Sequence, residues 1–211
     1  MNAIFFDVDG TLFDTRADLA GGVNHTRRDL GLKELPEATV ISHVGQGSRY
    51  LMEHAIPESP IPFEELWGIY KSHYAEHCCD KLTMYPGVIE TLTELQHRGW
   101  LLGVNTNKPN FAVKMIFEKF DLNRFFGEAI IAGGDGVPLK PDPLSLQECA
   151  KRLDHRLSAA DWMVGDSWND IDCATNAGVN GAFCTFGFGQ LKTTSRPTAT
   201  LNTFSDLLKV V

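Results

Sequence analysis

The chain has 211 residues, enough to bury one good core with a smaller appended unit, and 43% hydrophobic with 22% charged residues is the composition of an ordinary folded domain rather than a disordered one. A net charge of −8 counts against binding to a nucleic-acid backbone, and no apolar run is long enough to span a membrane. The first residues, MNAIFFDVDG, have no basic region ahead of the apolar stretch, so they do not read as a secretory signal, and the five cysteines are odd in number without a CxxC pair. Reduced thiols and a cytoplasmic location are expected.

Ala3–Phe6 is an apolar run ending at Asp7, as in a short buried parallel strand with acid at its carboxyl end. From Thr15 to about Gly31 the pattern is helical, with Thr15 as N-cap, Asp18 three residues later and Gly31 as the stop. Between Pro36 and Asp80 helices are expected over Ser48–Ala55 and Phe63–Cys78, separated by the proline-rich Pro57–Pro62, with no strand. Beyond Pro86-Gly87 the chain alternates as βαβ units do. Helices are expected over Val88–Arg98, from after Pro109 to Phe120, over Leu144–Leu153 and through Asp170–Ala177. Strands are expected over Leu101–Asn105, Ala129–Ala132, Trp162–Val164 and Gly181–Thr185. The fold class is therefore α/β, a doubly wound, Rossmann-like parallel sheet. Its core domain comprises residues 1–14 and 82–211, and a small helical cap domain of residues 15–81 is inserted after the first strand. Three strands end in polar clusters, at Asp7-Val8-Asp9, Thr106-Asn107-Lys108 and Gly165-Asp166-Ser167, and in a parallel sheet such ends converge.

Each cluster has a chemical reading. Asp7 and Asp9, two positions apart after a buried strand, repel one another unless a cation or a shared proton intervenes, and Mg²⁺ prefers such oxygen ligands. The EF-hand alternative fails, because counting from Asp7 the sixth and twelfth positions hold Leu12 and Asp18 instead of Gly and Glu. Thr106, at a strand end before a helix, could cradle a phosphoryl group between its hydroxyl and the helix's free N–H groups, although polar strand-to-helix turns are common. Lys140-Pro141-Asp142-Pro143 holds a lysine in a stiff loop, and Asp170, four residues after Asp166, can return to the same pocket on a helix.

DVDGTLFDT, the Thr106 cluster, KPDP and GDSWND occur in this order from Asp7 to Asp170, and together they resemble the four motifs of the haloacid-dehalogenase superfamily. The helical insertion, Asp18-Leu19, Gly45-Gln46-Gly47 and Asn107-Lys108-Pro109 are similar to its phosphoglycolate phosphatase-like branch, whereas Thr15-Arg16-Ala17 departs from the Ser-Ala-Pro more usual there.

The resemblance implies a Mg²⁺-dependent phosphatase acting on a small phosphorylated metabolite. Asp7 is then the nucleophile that forms an aspartyl-phosphate and Asp9 the acid and base. Thr106, Asn107 and Lys140 contact the substrate, Asp7, Asp9 (through its carbonyl) and Asp166 hold the metal, and Asp170 supports it. Phosphoglycolate is the first substrate expected, ahead of a pyrophosphatase, a sugar-phosphate phosphatase or a phosphomutase. A dehalogenase has no use for Asp9 or Asp166, and a phospho-accepting receiver module would carry its aspartate mid-chain. The protein is expected to be a monomer or homodimer.

Arg49, after the glycine-containing turn at Gly45–Ser48, either receives a substrate carboxylate at a helix N-terminus or lies on a solvated helix face. His73 and His77 read as a polar helix face, and Gly187-Phe188-Gly189 as a loop.

Overall fold

The structure is a computed structural model that describes residues Met1–Val211. Its main sheet has six parallel strands in the order β5-β4-β1-β6-β7-β8. These are β1 (Ala3–Phe6), β4 (Leu101–Pro109), β5 (Ile130–Gly133), β6 (Trp162–Gly165), β7 (Asn180–Cys184) and β8 (Ala199–Leu201). Register is set on β1, where Phe6 lies opposite Val104 on one side and Val164 on the other. All four β1 residues are buried, and they alternate between two cores, Ile4 and Phe6 in the larger and Ala3 and Phe5 in the smaller. That alternation is the period-two geometry of a strand covered on both faces.

The larger core is closed by α5 (Val88–His97), α6 (Asn110–Lys119), α7 (Asn123–Phe126) and a C-terminal 3₁₀ helix, Phe204–Lys209. The smaller is closed by α8 (Leu144–Arg152) and α9 (Trp168–Ala177). Chain order reverses about β1, which leaves β1, β4 and β6 adjacent with their carboxyl ends together at the switch point.

The helical insertion contains α1 (Arg16–Asp29), α2 (Glu37–Ile41), α3 (Ser48–Ala55) and α4 (Phe63–His77). It has a hydrophobic cluster of its own, built on Leu19, Val23, Leu51, Met52, Leu66, Tyr70 and Tyr74, which Ala112 and the partly buried Phe111 of α6 join from the sheet side. Each Leu or Met so buried contributes on the order of 1.5–3 kcal/mol. The two connections to the sheet domain pair as an antiparallel ribbon, β2 (Phe13–Asp14) with β3 (Thr83–Met84). Buried Asp18, expected to act in helix capping, instead accepts hydrogen bonds from the N–H groups of Lys81 (3.0 and 3.1 Å) and Leu82 (2.9 Å), fastening the returning chain to α1. Gly31, with φ +70, ends α1 as expected.

Three parts of the fold differ from the expectation. The helix α2 is too short to show a period, and β8 and the terminal 3₁₀ helix extend the sheet domain past the strand taken as last. The strand β4 runs on through Pro109, because Pro109 still pairs with Gly133 of β5 after an irregularity. Helix α6 begins at Asn110, directly after Pro109 as expected, four residues beyond Thr106.

Candidate active site

Asp7 follows β1 directly, and its N–H continues the ladder to Val164 O at 2.9 Å, so its backbone is fixed by the centre of the sheet. The carbonyl of Val8 then accepts from the N–H groups of Thr11, Leu12 and Phe13, which turns the chain back. Gly10 allows that turn with φ +76, and it lies so close to the Asp166 carboxylate that any Cβ there would overlap it.

The carboxylates of Asp7, Asp166 and Asp170 each offer an oxygen within 4.8 Å of the others, and all three residues are buried. Lys140 is the cation among them, with Nζ 2.9 Å from Asp7 Oδ1 and 2.5 Å from Asp170 Oδ1. Burial works against the charge on Lys140, but Asp170 and Asp7 outweigh it and hold its pKa above the ordinary value. Burial pushes Asp170 up to about 7, opposed by Lys140 and reinforced by Asp7. Asp166 is driven well above the usual carboxylate range, first by burial and then by Asp170 and Asp7. Three carboxylates against one ammonium leave a surplus of negative charge in a low-dielectric pocket, the condition that a hard dication relieves. The residues present fit such an ion.

The loop Gly187–Gly189 holds Asp166 in place. The N–H groups of Phe188 and Gly189 donate to its Oδ2 at 2.8 and 2.6 Å, and Gly189 lies against its backbone where a side chain has no room. Asp170 in turn accepts from Ser167 N at 2.9 Å, an N-terminal lock on α9 that aims it at Lys140.

Asp9 sits apart from this trio. Its Oδ1 accepts from Thr15 Oγ1 and from Lys108 Nζ, both at 2.7 Å, and Lys108 Nζ also donates to Tyr74 Oη at 2.6 Å. Thr15, at the start of α1, thus binds the acid rather than capping its own helix. Between the strand ends and the insertion is a cleft, partly open to solvent, lined by Asp7, Asp9, Thr106, Lys108, Lys140 and Asp166.

The sequence profile of the haloacid dehalogenase-like hydrolases matches residues 4–184. The chain belongs to this family. It is 33% identical over 99% of its length to the phosphoglycolate phosphatase of Mannheimia succiniciproducens, covering 97% of that protein. With the phosphoglycolate phosphatase of Vibrio cholerae it shares 36% identity, covering 99% and 96% of the two chains. The crystal structure of a predicted phosphoglycolate phosphatase from Haemophilus somnus 129pt superposes with a TM-score of 0.90 at 29% identity, over 100% of this chain and 97% of that one. This haloacid dehalogenase-like hydrolase is therefore of the phosphoglycolate phosphatase-like branch, a phosphoric monoester hydrolase.

Within this hydrolase the motif residues come from the carboxyl-end regions of β1, β4 and β6 and, for Lys140, from the loop between β5 and α8, and two expected substrate contacts are placed differently. The Asn107 side chain is committed to structure: it donates to Gly45 O (2.9 Å) and Lys140 O (3.0 Å) and accepts from Lys140 N (2.8 Å). It joins the Gly45 turn of the insertion to the loop that carries Lys140. Arg49 is 59% exposed, stacks on Phe63 at 3.5 Å and pairs with Glu53 and Glu64, so it lies on a solvated helix face, the second of its two readings. Thr106 is buried at the cleft, its hydroxyl accepting from Lys108 N at 3.2 Å. Sequence reasoning gave no part in the site to Lys108 or the 187–189 loop, and it assigned Thr15 only as a helix N-cap. For Lys108 no local signal existed, because its enclosure comes from Tyr74 of α4 and from Asp9, both distant in sequence.

Proposed function

We propose that this phosphatase hydrolyses 2-phosphoglycolate with Mg²⁺, through an aspartyl-phosphate on Asp7. One observation carries the chemistry: Asp7 stands at the switch point with Lys140 on one oxygen and the Asp166 and Asp170 carboxylates beside it. The substrate is supported by relatives named phosphoglycolate phosphatase that match over nearly the whole chain.

Lys140 orients the Asp7 carboxylate, which attacks phosphorus in line as the bond to the ester oxygen breaks. Asp9, held by Thr15 and Lys108, gives its proton to the departing oxygen. A water then attacks the aspartyl-phosphate, Asp9 takes a proton from it, and the bond between phosphorus and Asp7 breaks to restore both carboxyl groups. The carboxylates of Asp7 and Asp166 and the carbonyl of Asp9, with Asp170 behind, would hold Mg²⁺, which when bound would supply charge stabilisation for the phosphoryl oxygens. The Thr106 hydroxyl and the Lys140 ammonium serve the same oxygens.

Residues 15–81 act as a cap over the cleft. The supporting contact is Gly45 O, which accepts from Asn107 Nδ2 at 2.9 Å and Asn169 Nδ2 at 2.5 Å, one from each wall of the sheet domain. Five free thiols, four of them buried, agree with a reducing cytoplasmic setting, and no helix is long and apolar enough to cross a membrane.

Steady-state assays with Mg²⁺ on 2-phosphoglycolate, pyrophosphate and sugar phosphates test the reading. The kcat/KM for 2-phosphoglycolate is expected to lead, and Asp7→Asn to be inactive on every ester while remaining folded. Turnover by that variant above contamination overturns the covalent step, and preference for a sugar phosphate overturns the substrate.

A further inference from the structure

With Arg49 on the outer surface, nothing so far accounts for recognition of the part of the substrate beyond the phosphoryl group. Two cations serve the cleft, and they divide it. Lys140 belongs to the phosphoryl end, between Asp7 and Asp170. Lys108 belongs to the Asp9 end, where the ester oxygen departs.

Lys108 lines the cleft, and its side chain, at 0% exposure, is enclosed there against Asp9 and Tyr74. Asp9 and Tyr74 fix its ammonium from two sides and use two of its three N–H donors. Tyr70 of α4, stacked on Tyr74 with ring centres 5.3 Å apart, also borders the cleft. The residue is 1% exposed, and its hydroxyl, unpartnered within the protein, keeps a small accessible edge. A buried cation with a donor to spare and an unpartnered hydroxyl on a nearly buried tyrosine thus flank one end of a cleft whose remaining insertion wall is largely apolar, with Leu19, Ile41, Val44 and Leu51. Buried donors of this kind call for an anionic acceptor.

Distances limit where that acceptor lies. Lys108 Nζ is 2.7 Å from Asp9 Oδ1, and an acid meets its leaving oxygen at roughly 2.6–3.2 Å. The ammonium is therefore only one carboxyl group and two hydrogen bonds away from the ester oxygen. In a 2-hydroxy acid ester the carboxylate lies one carbon beyond that oxygen, within reach of Nζ.

We infer that Lys108 and Tyr70 form the receptor for a carboxylate on the leaving group, and so select phosphate esters of small hydroxy acids. The inference rests on the reading of Asp9 as the acid at the leaving oxygen and of the substrate as carboxylate-bearing. Lys108→Gln and Tyr70→Phe test it, each assayed with Mg²⁺ on 2-phosphoglycolate and on 2-hydroxyethyl phosphate, which has the same two-carbon frame without the carboxylate. For Lys108→Gln the fall in kcat/KM on 2-phosphoglycolate should exceed that on 2-hydroxyethyl phosphate by about 10- to 100-fold, and for Tyr70→Phe by about 10-fold, as expected for hydrogen bonds to a charged group. If the parent enzyme favours 2-phosphoglycolate and both variants lose equally on the two esters, or lose nothing, the receptor is overturned while the substrate stands. If the parent enzyme shows no preference between the esters, the carboxylate-bearing substrate falls and the receptor with it. Tyr70→Phe removes one hydroxyl only, so the comparison survives even if Lys108→Gln fails to fold.

Discussion

Removing the metal should make this protein less stable as pH rises through the neutral range, and Asp170→Asn should isolate one source of that loss. Asp170 is fully buried, and burial lifts its pKa to about 7 even with Lys140 Nζ and Ser167 N bonded to it. In the unfolded chain the same group titrates near 3.8. Between these values the folded state holds a proton that the unfolded state has lost, so unfolding free energy falls with pH. Stability from this group is full below about pH 4 and lost as pH passes 7. The slope is at most about 1.4 kcal/mol per pH unit, which over roughly three units is a ceiling of about 4 kcal/mol. Asp166, also raised, acts in the same direction, while His25 and His43, whose pKa values burial lowers, oppose it below about pH 6.5. Asp170→Asn retains the histidines and Asp166, so subtracting its stability from that of the parent cancels their share. Urea denaturation of metal-stripped protein from pH 4.5 to 7.5 should show the parent-minus-variant difference shrinking as pH rises. Saturating Mg²⁺ should restore the parent most at the upper end, by about 2.7 kcal/mol at one hundred times its Kd. A difference that is flat, or that grows with pH, refutes the account of a carboxylate strained by burial and relieved by a cation.

Two further outcomes are expected. Asp166→Ala should weaken Mg²⁺ at least about tenfold in the metal dependence of turnover, with Ca²⁺ inhibiting the parent because the larger ion takes more oxygens, and full activity of the parent in excess chelator would contradict both. Asp18→Ala, which orphans the buried N–H of Leu82 and the part-buried N–H of Lys81, should cost about 1–3 kcal/mol in urea denaturation, and no measurable loss would mean that the returning chain is held elsewhere.

The sheet domain was legible in the sequence because its strands are covered on both faces and end in polar clusters, so hydrophobic runs and acids mark the same boundaries. The helices over Ser48–Ala55, Val88–His97 and Leu144–Arg152 appear close to where periodicity places them. What was not legible depends on pairing across the chain. The ribbon of β2 with β3 is two residues wide on each side, and β4 outruns its apolar segment because Pro109 finds Gly133, a contact that no local pattern encodes. Strand β8 has a single buried residue, Leu201, and owes its place to pairing with β7.

The same distinction runs through the site. Asp7, Asp9, Lys140, Asp166 and Asp170 could be read in advance because each sits in a short polar segment at a strand end or in a stiff loop, where burial and charge conflict within the local sequence. Arg49 and Lys108 are each placed against their local appearance, for a reason outside the local sequence. An arginine just past a glycine turn looks like a receptor until Glu53, Glu64 and the face of Phe63 are brought against it. Lys108 reads as an ordinary polar residue until α4 brings Tyr74 over the end of β4 and seals its ammonium against Asp9. Burial decides which cation can discriminate: the exposed guanidinium is screened by water and has its own partners, whereas the enclosed ammonium can exchange partners only with what enters the cleft. A side chain that costs folding energy to bury is for that reason the better place to look for specificity in this hydrolase.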